Sequence, residues 1–286
     1  MNPDRAILTG HCADKKGLVA AITEWISDNG GNILHLDQHV DPATDHFFIR
    51  VEWHLEGFVH GRETIAHQFQ TDVAGRIGLD ASIRFTSDRL RMALFVSRLG
   101  HCLWDILARC ESGEWNVEVP LIISNHPDFE GTAQQFGVPF HVIPITAETK
   151  ADQERRELEL LAEHNVDFIV LCRYMQVLSA DFAAQYPNRI INIHHSFLPA
   201  FAGAKPYHRA HERGVKLIGA TAHYVTLDLD EGPIIEQDTA RVSHRDAVQD
   251  MVRLGKDLEK IVLSRAIFLH LNSQVIVHGN RTVVFT

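Results

Sequence analysis

The chain has 286 residues, 45% of them hydrophobic and 22% charged, enough for a sizeable buried core and about two domains of ordinary size. Its formal charge is -10, with Asp+Glu 37 against Lys+Arg 27, which argues against a nucleic-acid partner but leaves room for a small basic pocket. Cys12, Cys102, Cys110 and Cys172 form no C-x-x-C pair, and no apolar run reaches the ~18–20 residues of a membrane span. The expectation is a soluble, cytoplasmic protein with free thiols, no leader before Met1-Asn2-Pro3 and no membrane partner.

In chain order, residues 6–11 read as a short strand, and Asp14-Lys15-Lys16-Gly17 leads into an amphipathic helix over 18–27. Leu18, Ile22, Trp25 and Ile26 share one face of that helix, and Asn29-Gly30-Gly31 stops it. Strands follow at 33–40 and 46–53, joined by a turn at Asp41-Pro42, then a helix between 62 and 77 and a strand at 81–85. The order βαββαβ predicts a ferredoxin-like domain over residues 1–86. Residues 87–91 are polar and short and read as a linker.

The rhythm changes in residues 92–286. Apolar runs at 92–96, 117–124, 140–145, 168–172 and 190–193 alternate with helical segments at 102–110, 129–136 and 150–164. This pattern predicts a mostly parallel, Rossmann-like α/β sheet covered on both faces. In the 150–164 helix, Leu158, Leu161 and Ala162 are expected inward. A later strand pair (220–225, 233–237), a long helix (245–271) and a terminal hairpin complete the second domain.

Chemistry concentrates in Ile190-Ile191-Asn192-Ile193-His194-His195-Ser196-Phe197-Leu198-Pro199. Two residues apart on a strand, Asn192 and His194 project from one face, at the carboxyl end where α/β sheets collect ligands. An amide can hold a developing oxyanion and an imidazole can move a proton near neutral pH. Alone, the spacing is equally compatible with a strand-end turn former and a core histidine. His195 is expected to face the other way and to be structural. A second stretch runs from an apolar strand into Asp228-Leu229-Asp230-Glu231-Gly232-Pro233, a loop that could be solvated or could bring a carboxylate to His194.

Together, Asn192-x-His194 with Leu198-Pro199, and later Asp230-x-Gly232-Pro233, resemble the signature of the formyltetrahydrofolate-dependent formyltransferase and hydrolase superfamily over about residues 90–286. The resemblance implies that Asn192, His194 and Asp230 are catalytic. It also implies that the pteridine of a folate substrate lies against Gln176, Val177 and Leu178 and the loop containing Val225 and Asp228. Residues 14–20 with Asn32 and Ile33 resemble the ACT regulatory module, which implies a homo-oligomer and a possible amino-acid effector.

Within the superfamily, Val96-Ser97-Arg98-Leu99-Gly100-His101-Cys102-Leu103-Trp104 lacks the small phosphate-cradling residues of the nucleotide-amine transferases. That departure, the ACT resemblance and Gly203-Ala204-Lys205-Pro206-Tyr207-His208 favour the hydrolase member: hydrolysis of 10-formyltetrahydrofolate to formate and tetrahydrofolate, with no cofactor and no metal. The alternatives are formyl transfer to an amine and a sensor without catalysis. A zinc hydrolase built from His194, His195, His208, His211 and His223 is a third, disfavoured because His208-x-x-His211 has no third ligand at fixed spacing.

Overall fold

The strand β1 (Arg5–Ala13) pairs antiparallel with both β3 (His46–His54) and β4 (Asp80–Phe85), and β3 pairs with β2 (Asn32–Asp41), giving the order β2-β3-β1-β4. Helix α1 (Leu18–Asp28) starts at Gly17, whose φ of 91 is a left-handed conformation that glycine adopts without a Cβ clash. A second helical run comprises α2 (Arg62–Phe69), a π-helical turn (Gln70–Ala74) and α3 (Gly75–Ile77). Leu18, Ile22, Trp25 and Ile26 of α1 join Leu8, Ile49, Val51 and Trp53 of the sheet in one core, as their spacing predicts. Burying a side chain of this size contributes about 1.5–3 kcal/mol each. These elements have the ferredoxin-like order expected.

The computed structural model describes residues 4–199 and 206–286. Gly203, Ala204 and Lys205, part of the resemblance above, lie outside the described residues. The chain divides into a first unit, Met1–Asp88 with Asn272–His278 and Thr282–Thr286, and a second, Arg89–Leu271 with Gly279–Arg281. The strands of the terminal hairpin, β13 (Val275–His278) and β14 (Arg281–Val284), therefore fall almost wholly with the first unit and not, as their place in the chain suggests, with the second. The reason is visible on β3. Phe48 packs with Ile276 and Phe285, and Arg50 donates to the carbonyls of Asn272 and Ser273 while pairing with Glu52. Every residue from Phe47 to Trp53 is buried, so β3 has no solvated face despite its alternation.

The second unit is built on the order β12-β11-β10-β9-β5-β7-β8, with β6 (Val117–Glu118) beside β5 (Leu90–Val96). The pairs among β5, β7 (Ile122–Ser124), β8 (Phe140–Val142), β9 (Phe168–Cys172) and β10 (Ile190–His194) are parallel. Strands β11 (Leu217–Tyr224) and β12 (Ile234–Arg241) add antiparallel. The run 117–124, expected as one strand, is two, because Pro120 has no N–H to give the ladder. Strand β8 likewise stops two residues before Pro144.

Helices α4 (His101–Glu111), α5 (Glu130–Gln135), α6 (Lys150–Glu163), α7 (Ala180–Gln185), α8 (Pro206–Arg213) and α9 (Val248–Leu271) complete this unit. In α6 Leu161 is buried and Leu158 packs against the core as expected, but Glu154, Glu157 and Leu160 are buried too and Ala162 is exposed. No helix among the described residues is long and apolar enough to cross a membrane. From β5 the chain goes to β7 on one side, while β9 occupies the other. That reversal opens a crevice at the carboxyl ends of β5, β9 and β10.

Candidate active site

On β10 the two-residue period places Asn192 and His194 on the face that lines this crevice. The antiparallel register sets His223 opposite Asn192 and Thr221 opposite His194. Thr221 is fully buried and ties down the turn beyond His194: its hydroxyl donates to Ser196 O (2.9 Å) and accepts from the backbone N–H of Leu198 (3.1 Å). Gln237 bridges Thr221 Oγ1 and Leu198 O from β12, and Leu198-Pro199 is a cis peptide.

His223 decides how Asn192 is presented. Its Nδ1 lies 2.9 Å from the carbonyl of Tyr224, which can only accept, so Nδ1 carries the hydrogen and Nε2 a lone pair. Nε2 is 3.1 Å from Asn192 Nδ2, so the amide turns its amino group to His223, and the second hydrogen on Nδ2 remains for the crevice. Burial, more than any neighbour, holds His223 below the usual imidazole range and keeps it neutral. Gly232 belongs to the same device. A Cβ there would lie 1.8 Å from Tyr224 O and 3.3 Å from His223 Nδ1, so a side chain would displace the carbonyl that sets the tautomer.

Asp230 occupies the left-handed region (φ 59), uncommon outside glycine but tolerated by Asp. In that conformation its Oδ1 is 3.1 Å from His194 Nδ1 and 3.8 Å from His223 Nε2. The hydrogen bond from His194, with the surrounding imidazoles, holds the Asp230 carboxyl below its usual range against the opposing effect of burial. His194 Nε2 is shut off from bulk solvent and has no hydrogen-bond partner. Asn280 donates to the carbonyl of Glu231 and steadies the loop beside Asp230.

The crevice has a volume of about 570 Å³. Gln176, Val177 and Leu178 line it from the loop after β9, and Val225 and Asp228 line it from the loop after β11. All eight residues singled out in the sequence thus reach one cavity. Exposed Met175, Val177, Leu227 and Leu229 give it an apolar rim of the kind a flat heteroaromatic ring would cover.

Three features escaped the sequence reading. The first is a buried polar floor. Glu259 of α9, 2% exposed, accepts from Tyr207 OH (3.1 Å) and meets His101 Nε2 at 2.7 Å and Arg173 Nε at 3.4 Å. Burial pushes its carboxyl up, but the His101 bond and the Arg173 charge outweigh this and leave it below the usual value. Gly255 makes room, since a Cβ there would stand 1.9 Å from Tyr207 OH.

The second feature is support for the loop after β9. Tyr174 OH donates to Glu157 Oε1 (2.9 Å), Ser179 N to Glu154 Oε1 (2.9 Å) and Met175 N to Ser97 Oγ (2.9 Å). Glu157 is fully buried, and desolvation raises it to about 7 despite the Tyr174 bond.

Third, His195 also lines the crevice instead of turning away, because the strand ends at His194 and its alternation ends with it. Burial, then the charge of Arg173, lowers the His195 imidazole to about 4.

Comparisons with known proteins identify relatives along nearly the whole chain. The formyl transferase family matches residues 90–267. A curated relative from Synechocystis sp., a formyltetrahydrofolate deformylase, is 54% identical over 280 residues, 98% of each chain. The crystal structure of a formyltetrahydrofolate deformylase from Pseudomonas syringae pv. tomato superposes with a TM-score of 0.97 at 40% identity, covering 100% of this chain and 96% of that one. That from Burkholderia mallei gives 0.93 at 43%, covering 99% and 100%. The chain therefore belongs to the formyltetrahydrofolate deformylase family and carries a formyl transferase domain over residues 90–267.

Proposed function

We propose that this chain hydrolyses 10-formyltetrahydrofolate to formate and tetrahydrofolate. The observation that carries the reading is the paired arrangement at the ends of β10 and β11. One amide hydrogen of Asn192 is spent on His223 and the other is free for an oxyanion, while His194 and Asp230 form a proton-handling pair beside it. Water attacks the formyl carbon and a C–O bond forms; the carbonyl oxygen gains charge and takes the free Asn192 hydrogen. A water proton passes to the His194–Asp230 pair, and the same pair returns a proton to N10 as the C–N bond breaks. No electrons change hands, so the reaction needs only water as co-substrate.

Water rather than an amine is favoured by the floor of the crevice. A nucleotide-borne amine would bring a phosphate, and α4 would be the helix to receive it at its N-terminus. His101, its first residue, is bound to buried Glu259, and a second anion beside that carboxylate would be repelled. Gly100 is covered by the ring of Phe129.

The first unit, on this reading, is an ACT-like regulatory domain. Its exposed edge strand β2 suits pairing with a second copy in a homo-oligomer, and Asp14–Gly17 with Asn32 suits a small amino-acid effector. A cytoplasmic location fits the free cysteines.

The test is to incubate the purified chain with 10-formyltetrahydrofolate and follow formate, with and without an amine acceptor and with and without glycine or methionine. Formate is expected without acceptor. An intact formyl pool until an amine is added would indicate a transferase, and an intact pool in every arm would indicate a sensor.

A further inference from the structure

The first unit holds a group of side chains that the hydrolytic reaction does not use. His11 near the end of β1, His46 at the start of β3 and His278 at the end of β13 bring three imidazoles together. His11 Nδ1 is 3.1 Å from His46 Nε2, and the His46 and His278 rings stack with centroids 4.0 Å apart. One ring nitrogen from each of the three falls within 4.8 Å of the others. All three rings are partly buried, and Phe48 packs against them with its centroid 5.1 Å from His46 and 5.5 Å from His278.

Strand pairing fixes His11 and His46: His11 stands opposite Phe48 and His46 opposite Ala13 in the β1–β3 register. At Zn–N distances of about 2.0–2.1 Å, two nitrogens on one tetrahedral ion are roughly 3.3 Å apart. The His11–His46 pair is therefore within a few tenths of an ångström of a coordination edge, and a ring nitrogen of His278 lies within 4.8 Å of both. The outer nitrogen of His11 faces Asp80 Oδ2 at 3.6 Å, and a carboxylate on the far nitrogen is the common partner of a ligating histidine. Nitrogen donors without thiolate, in a half-buried site, select borderline divalent transition metals over Mg²⁺ or Ca²⁺.

We propose that His11, His46 and His278 form a three-histidine site for a divalent transition-metal ion of the Zn²⁺ class, with water in the remaining position. Bound there, the ion ties β13 to β1 and β3 across a long stretch of sequence and stabilises the first unit by closing that loop. The other metal-capable group among the described residues, His101–Cys102–Glu259, is already committed, since Glu259 is held by Arg173 and Tyr207.

The test uses the full-length protein stripped with a chelator and titrated with ZnCl₂ by calorimetry, with metal content read after gel filtration. About one ion per chain is expected, with a Kd of ~1 μM or tighter, and a melting temperature that rises on adding Zn²⁺. His46→Ala and, separately, His278→Gln should each weaken binding at least ~10-fold, with unchanged circular dichroism and no thermal shift on adding metal. His208→Ala, on α8, should bind as the parent does. His278→Gln lies on the terminal hairpin and keeps the proposal testable if His46→Ala fails to fold. Absence of saturable binding below ~100 μM, full binding by both histidine variants, or loss in His208→Ala alone would overturn the site.

Discussion

Asn192 and His223 face each other across the antiparallel β10–β11 pair, and the 3.1 Å contact between their side chains fixes which hydrogen of the amide points at substrate. His223→Phe keeps the ring's bulk and removes the acceptor, leaving the amide free to rotate. A fall in kcat of about 10- to 100-fold is expected, with the folate KM changed by less than ~3-fold. Steady-state formate release reads both constants; a change confined to KM would mean that His223 shapes the pocket and does not aim the amide.

Asp230→Asn keeps the size of the side chain but loses the charge that accepts from His194 Nδ1. The fold and folate binding should persist while turnover drops by about 10²- to 10⁴-fold. Binding calorimetry with tetrahydrofolate alongside the rate assay separates the two effects, and near-normal turnover would remove Asp230 from the proton path.

Gly232→Ala tests the close approach behind the histidine. Its Cβ would meet the Tyr224 carbonyl at 1.8 Å, a backbone atom that cannot swing aside. A loss of roughly 2 kcal/mol or more is expected, together with a fall in kcat like that of His223→Phe. Thermal melting and formate release measure each part; a variant as stable as the parent would show that the loop relaxes freely.

Glu157 makes stability depend on pH. Its folded value of about 7 lies above the ordinary 4.5, so its stabilising contribution is complete below about 4.5 and is lost as the pH rises through about 7. Glu157→Gln retains an oxygen to accept from Tyr174 OH and cannot ionise. The variant should be more stable than the parent by about 3 kcal/mol at pH 8.5 and by less than about 1 kcal/mol at pH 5. Parallel melts at the two pH values give the difference; equal gaps at both would assign the effect to packing.

What could be read in the sequence follows from the range of the forces involved. The βαββαβ order, the α1 core face and the parallel strands of the second unit are written in local periodicity, and Leu18, Ile22, Trp25 and Ile26 lie where that period puts them. Asn192, His194 and Asp230 were found because a strand-end pair and a Gly-Pro loop have local spacing. His223 stands out in the sequence only within the disfavoured zinc reading, because its role depends on a cross-strand register that no local pattern encodes.

Glu154 and Glu157 looked like the solvated side of a charged helix, since nothing nearby in sequence reveals that Ser179 N and Tyr174 OH will meet them. Position in the chain alone suggests that the terminal hairpin belongs with the second unit, whereas Phe48 and Arg50 hold it to the first.

The most direct test of the central claim is a single turnover of 10-formyltetrahydrofolate in ¹⁸O-labelled water, with the formate analysed by mass spectrometry. If Asn192, His194 and Asp230 direct water to the formyl carbon, each formate released carries one solvent-derived oxygen, and Asp230→Asn slows its appearance by about 10²- to 10⁴-fold. Formate without the label, or a formyl group that leaves the folate only when an amine is present, would contradict the account.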